Sequence, residues 1–479
     1  ARNGGARSGR LGNENPRRMP GTGPAEPPFV IRAREIEATI LRDPVTQEVD
    51  VPELTGLHNV RITREAPPTP AAQRGGRVNV SGAVEITGQR LHMQNPEGGG
   101  PRQILTLSGS VDPRQEPQQD AKLRVGDYRV ESPVLVFNRG ENRVDVPGPG
   151  QLHIPVATDV RGKKLEQPQI MDVAWIERMS FDGQTARFLQ RVKARVGDSQ
   201  LTCEAMEVGL NRRLDLQSDH PDTTGLDLKS IACRHQVTIE TYEYADSRVV
   251  EVMKGRLAEF HLDNETGEFE GLGPGMMQDW RVAKSGESSR WLSVEPTSSV
   301  QTNQPTSEDK RHPWNYAQMI FKGKVTGNIH RQDATLTRNV QILYAPVAQA
   351  LQVFDRNDLS FESGKDNGNN AAWLGCQELD LILVKGRDGE STAQLRARGG
   401  DGEDASLEGR KFTANGHEVL YDQGKGQFIL RGRGTDKADI HFQDQAGRRP
   451  TDVQAHIIEY VPSRRSLILD GATFNGQAP

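Results

Sequence analysis

The sequence predicts an all-β fold of antiparallel strands, and three observations predict it. From about Val78 to the end, apolar and polar residues alternate with period two and are interrupted by Gly, Asp, Asn and Pro, while a helical period is hard to find. The alternation leaves each strand one dry and one wet face, which favours antiparallel sheets over the continuous apolar strands of a doubly wound α/β core. The strands also resemble one another at intervals of a few tens of residues, as stacked β-architectures do.

Composition bounds the rest. The 479 residues leave room for about two to four domains. With 60 basic and 65 acidic residues the formal net charge is −5, so the global footprint of a nucleic-acid binder is missing. Mean hydropathy is −0.67, and no apolar run approaches the ~18 residues a membrane-spanning helix needs. Three cysteines, Cys203, Cys233 and Cys376, cannot build a disulfide framework. Residues 1–28 are rich in Gly and Pro and read as a disordered linker, with the expectation that a signal peptide or an inner-membrane anchor precedes residue 1.

The strands carry the pattern in detail. In Ala186–Val196, Ala186, Phe188, Val192, Ala194 and Val196 share one face, and Arg187, Arg191, Lys193 and Arg195 the other. Met319, Phe321 and Val325 oppose Gln318, Lys322 and Lys324, while Ala258, Phe260 and Leu262 oppose Glu259 and His261. Five segments share a register with a small residue in third place: LTCEAMEVGL from Leu201, IACRHQVTIE from Ile231, LGCQELDLIL from Leu374, FTANGHEVLY from Phe412 and VQAHIIEYVP from Val453. A sixth, LTRNVQILYA from Leu336, breaks the rule with Arg338. The turns GENRVDVPGPG from Gly140 and GEFEGLGPG from Gly267 echo each other. A Pro- and Ser/Thr-rich stretch at 296–312 reads as a linker or long loop dividing a first β-region, 29–295, from a second, 313–479. Asp355–Ala371 reads as a long loop within the second.

Chemical motifs are sparse. Each cysteine occupies the small third place where Ala414 and Ala455 sit in other copies, so it is read as a packed small hydrophobe. Cys233-x-His235 is at most half a metal site. Gly399–Asp404 matches the opening of a calcium-binding nonapeptide but occurs once, and Gly197-Asp198-Ser199 is read as a turn rather than a nucleophile. No Walker loop or nucleophile elbow is present, and neither a cofactor nor a catalytic constellation is expected.

ARFLQRVKARVGDSQLTCEAMEVGL from Ala186, MIFKGKVTGNIHRQDATLTRNVQILY from Met319, FTANGHEVLYDQGKGQFILRG from Phe412 and VQAHIIEYVPSRRSLILDG from Val453 resemble the OstA-like, LptA-type repeat. That pattern is an aromatic-x-Gly-x-Val strand, a turn, a small residue in a strand ending near Tyr, a turn, and a strand finishing in Gly. Phe321–Val325 and Phe428–Gly432 carry it best, and Gln190 departs from it by standing where Gly would be. The resemblance covers about Val78 to Gly476 and implies tandem open β-jellyrolls, two sheets folded like a taco.

The resemblance further implies a non-enzymatic periplasmic bridge that carries lipopolysaccharide or a related glycolipid towards the outer membrane. Other OstA-like modules, joined by edge-strand pairing, and envelope transport proteins would be its partners, and nucleic acid would not. The physics agrees, because two sheets with apolar inner faces can take acyl chains at ~0.8 kcal/mol per buried methylene. Inward parity selects Phe188, Val192, Phe260, Leu262, Met319, Phe321, Phe412, Phe428 and Leu430 as lipid-lining residues, with a closed core as the alternative. Arg187, Arg191, Lys193, Arg195, Lys322 and Lys324 are candidates for anionic head groups, with solvated outer faces as the alternative. The rival function is a cell-envelope β-solenoid scaffold or adhesin without a lipid groove. A carbohydrate-active β-helix enzyme is a weaker third, since no paired carboxylates recur at one place in the repeat.

Overall fold

A computed structural model of the chain describes residues 30–45, 47, 49–64, 84–95, 103–112, 114, 119–158, 164–216, 225–282, 313–359, 371–385, 391–409, 412–442, 451–461 and 466–474. The expected linkers at 1–28 and 296–312 lie outside these residues. The fold is all-β: among the described residues 32 strands form one antiparallel ladder, and the one helical element there is a 3-10 turn, Arg356–Leu359.

The ladder is folded lengthwise into two wings. Long strands such as Thr185–Val196, Ser199–Leu210, Leu228–Ala245 and Arg248–Asp263 run through both wings and bend midway. Elsewhere two short strands replace one long one, as when Glu268–Leu272 and Gly275–Val282 pair with the two halves of Arg248–Asp263. The bends therefore follow one edge of the fold, its spine, and the hairpin tips follow the other, its rim. Pairing of Gly275–Val282 with Trp314–Phe321, and of Glu268–Leu272 with Lys324–Asn328, carries both wings across the 283–312 stretch, so the two β-regions share one ladder.

The spine has a repeated chemistry. At His58-Asn59, Gln190-Arg191, His235-Gln236 and Arg338-Asn339, two residues with positive φ stand opposite one residue, respectively Gln89, Glu204, Ala258 and Gln377. Two against one is a β-bulge, which bends its strand sharply. At three of the four, the single residue caps the bulge: Gln89 Oε1 accepts from the Asn59 N–H at 3.2 Å, Glu204 Oε2 from Arg191 at 3.4 Å and Gln377 Oε1 from Asn339 at 3.2 Å. Gln190 and Arg338, the two departures from the sequence repeat, are thus bulge residues.

Glycine makes other bends. A Cβ on Gly323 would lie 2.5 Å from the Thr337 carbonyl oxygen, so the aromatic-x-Gly-x-Val signature records a backbone contact at the spine. Both Gly-Pro-Gly echoes also turn the chain from one wing to the other, and the glycine after each proline lies under an aromatic ring, Gly150 under Trp175 and Gly275 under Phe321.

Inner faces of the two wings meet in one hydrophobic core running from Val60 to Tyr460. The three cysteines are buried beside spine bends, where the wings converge and side chains must be small. The Cys203 thiol hydrogen-bonded to Cys233, together with burial, pushes the Cys233 thiol far up, and burial pushes Cys376 up to about 12. A thiol held protonated is a poor nucleophile. Iodoacetamide at pH 8 is expected to leave Cys233 and Cys376 unmodified in the native protein and to alkylate both after unfolding; mass spectrometry reads the difference.

A second core lies on the outside. Val252, Trp280, Tyr316, Leu343, Ala345, Val347 and Trp373 face away from the main core and are covered by Phe354, Leu359 and Ala371. The start of the expected Asp355–Ala371 loop is therefore a packed strap, although 360–370 lies outside the described residues. Trp280 Nε1 donates to the Gln352 carbonyl at 2.8 Å, and the Arg356 guanidinium sits 3.5 Å above the Trp373 ring while pairing with Glu408.

Candidate functional site

The nine residues selected by inward parity do face inwards, but three stretches of the ladder treat them differently. Phe188 and Val192 are fully buried in the N-terminal stretch, where Val173, Trp175, Met206 and Val208 fill the space between the wings. Phe412, Phe428 and Leu430 are buried in the C-terminal stretch, with Phe428 stacked on Tyr421 at 4.5 Å. In the centre Phe321 and Leu262 are buried, whereas Phe260 and Met319 are only half-buried.

The centre is where solvent reaches between the wings. Met253, Met277, Ala317 and Met319 face inwards from one wing and Phe260, Phe269, Ala334 and Leu381 from the other, all half-buried. The two kinds of inner residue need no change of backbone: the same alternation places them, and only packing density differs along the ladder.

Cross-strand register arranges the first of these walls as a polarity gradient. Nearest the spine, the row Val237, Leu257, Gly275, Phe321 is apolar and buried. The next row is Ile239, Gly255, Met277, Met319, Ile342. A third follows as Thr241, Met253, Asp279, Ala317, Tyr344, and the row at the rim is Glu243, Glu251, Arg281, Asn315. The facing wing stays apolar towards its tips through Leu262, Phe269, Ala334 and Leu381.

The rim charges interact. Arg281 lies 3.1 Å from Glu251 and 3.9 Å from Asp279. Burial alone would lower the Arg281 pKa, but Asp279, Glu251 and Glu243 outweigh it and hold the guanidinium more firmly charged than usual. Thr241 is 2 % exposed, and its hydroxyl has no hydrogen-bond partner among the described residues.

The basic candidates lie elsewhere. Arg187 pairs with Asp182 and Glu207 on an outer face, Lys193 and Arg195 alternate outwards, and Lys324 meets Glu270 at 3.0 Å on the outside. Arg191 and Lys322 sit at the spine, on the edge opposite the rim. None of the six is brought to the mouth of the trough. The charges at the mouth, Glu243, Glu251, Asp279 and Arg281, were missed because a charged residue in an alternating strand reads as outward. Their signal was a break in alternation, where a charge takes the parity of Ile239 or Met277.

A cleft of about 960 Å³ opens on the outer face of the other wing, where four of its six carboxylates, Glu270, Asp333, Asp380 and Asp422, are paired with Lys324, Arg331, Arg398 and Lys425, and Asp263 and Glu268 complete the lining. Among the described residues, no group of three His, Cys, Asp or Glu side chains is placed to hold a metal, and no helix is long and apolar enough to cross a membrane. Comparison with protein-family models and with curated proteins found no match.

Proposed function

We propose that this chain is a non-enzymatic, periplasmic lipid-binding bridge that carries lipopolysaccharide or a related glycolipid towards the outer membrane, with the central stretch of the trough as its lipid seat. The OstA-like resemblance supplies the substrate class and the compartment. The observation that carries the reading is the row-by-row gradient from Phe321 through Met277 and Met319 to Glu251 and Arg281, which matches an amphiphile lying with its acyl end at the spine and its head at the rim. Flexible, polarizable methionines suit a wall that accepts more than one chain shape.

Partners would join at the ends of the ladder. Glu35–Arg42 is exposed throughout and, among the described residues, pairs on one side only, so its free edge can accept a strand from another module. Ser466–Asp470 offers the equivalent edge at the other end.

The second reading is the envelope scaffold, favoured by the close packing of the N- and C-terminal stretches. Organic-solvent extraction of the purified full chain separates the two. Acyl chains released in near-stoichiometric amount, and crosslinks from photoreactive residues at positions 277 and 319 but not 188, are the expected result. A lipid-free protein with no crosslink at any of these positions would leave the scaffold.

A further inference from the structure

The lip of the second wing differs from the rim row of Glu243, Glu251 and Arg281. Along the strand Ala372–Lys385, the inward positions Leu379, Leu381 and Leu383 pass from completely buried through half-buried to 39 % exposed. The outward positions on either side of Leu383, Ile382 and Val384, are 47 % and 39 % exposed. Three successive large aliphatic side chains, spread over both faces of one strand, thus stand in solvent, and no other such run occurs among the described residues. An exposed apolar cluster of this kind marks a contact surface.

Register explains why they are bare. On one side the neighbouring strand begins at Asp333, opposite Ile382, and the Gln332 carbonyl reaches one step further to accept from the Leu383 N–H at 3.0 Å. On the other side Ser391–Arg398 accompanies the strand out to Lys385, but its own outer neighbour, Glu418–Asp422, ends opposite Gln394. The hairpin therefore projects past both neighbours as a two-stranded finger at the rim, and its inner face continues the apolar wall of the trough outwards.

A sheet that meets a protein partner is apolar on the face it presents, whereas a tip that is apolar on both faces matches a medium that surrounds it. The charges around the finger cancel. On the tips to either side, Arg331 lies 2.8 Å from Asp333 and Lys425 3.6 Å from Asp422, and residues 385–391, KGRDGES, carry two basic and two acidic side chains. What the finger offers is hydrocarbon rather than a field. We infer that Ile382, Leu383 and Val384 dock the chain on a lipid bilayer by inserting among its acyl chains, which holds the mouth of the trough against the leaflet. Three such side chains amount to less hydrocarbon than one myristoyl chain, whose membrane association is about 10⁴ M⁻¹, so the contact is reversible, a touch and not an anchor. The finger shares no residue with the lipid seat.

Flotation of the full chain with vesicles at millimolar lipid tests the docking. Binding to neutral phosphatidylcholine vesicles is expected, changing by about twofold or less when a fifth of the lipid is phosphatidylglycerol or the salt is raised to half-molar. The triple variant Ile382→Ser, Leu383→Ser, Val384→Ser should fold, because these side chains are already exposed, and should bind about tenfold more weakly. A nitrobenzoxadiazole dye on Leu383→Cys should shift its emission to the blue with vesicles and be quenched by nitroxides on the lipid tails, whereas the same dye on the outward Lys193→Cys should do neither. If the triple variant fails to fold, the dye decides. A parent that does not float, a dye at 383 that stays in water, or binding that survives the triple substitution or needs anionic lipid at low salt overturns the docking. A triple variant whose one change is lost self-association would assign the finger to a protein contact instead. Solvent extraction of the parent reads the lipid seat without vesicles, so either reading can fail alone.

Discussion

Phe321→Asp is expected to unfold the protein or to cost it about 4 kcal/mol or more, and so not to report on lipid at all. Phe321 is completely buried one step from the spine, its ring lies where a Cβ of Gly275 would be, and Lys322-Gly323 immediately afterwards turns the chain into the other wing. A carboxylate there has no water and no partner, and the lost ring leaves Gly275 uncovered. Phe428→Asp should behave alike, because Phe428 is buried against Tyr421. Far-UV circular dichroism with urea unfolding measures the effect. A variant that folds within about 1 kcal/mol of the parent would show that Phe321 lines an open space, contrary to the packing described above.

The contrast explains what was legible in the sequence. Period-two alternation identifies the inner face, and every inward aromatic or aliphatic residue it selects is on that face, because strand parity is a property of the backbone. Alternation says nothing of how closely the facing wing approaches, so Phe188 at a packed stretch and Met319 at a half-open one read alike. The spine was hidden for a related reason. Gln190-Arg191 and Arg338-Asn339 look like surface residues of a continuing strand, and only the positive-φ pair opposite one capping Glu or Gln makes them a bend. Opposite such a bulge, parity slips by one: in the strand Arg248–Asp263, Leu257 and Leu262 both face inwards although they are five positions apart, which strict alternation would place on opposite faces. Trp280, Tyr316 and Trp373 are the converse case, large aromatics on the outer face covered by the strap from 348 to 359 rather than by the facing wing.

Met277→Glu is the substitution that should separate binding from folding. Met277 is half-buried in the row between the sealed spine and the charged rim, opposite Met319 and Gly255. A glutamate at this position can bend towards the rim and keep its carboxylate in water, so the stability loss should stay near 1 kcal/mol. The same carboxylate lies across the path of an acyl chain, and displacing even two methylenes removes about 1.6 kcal/mol of binding, which is more than tenfold in affinity. Met277→Leu, which conserves volume and polarity, should bind as the parent does. Acyl content after extraction and urea midpoints, measured together on the two variants, are read as a pair. Full acyl content in the glutamate variant would place the chain elsewhere, and a destabilisation as large as that of Phe321→Asp would mean that the centre of the trough is as closed as its flanks.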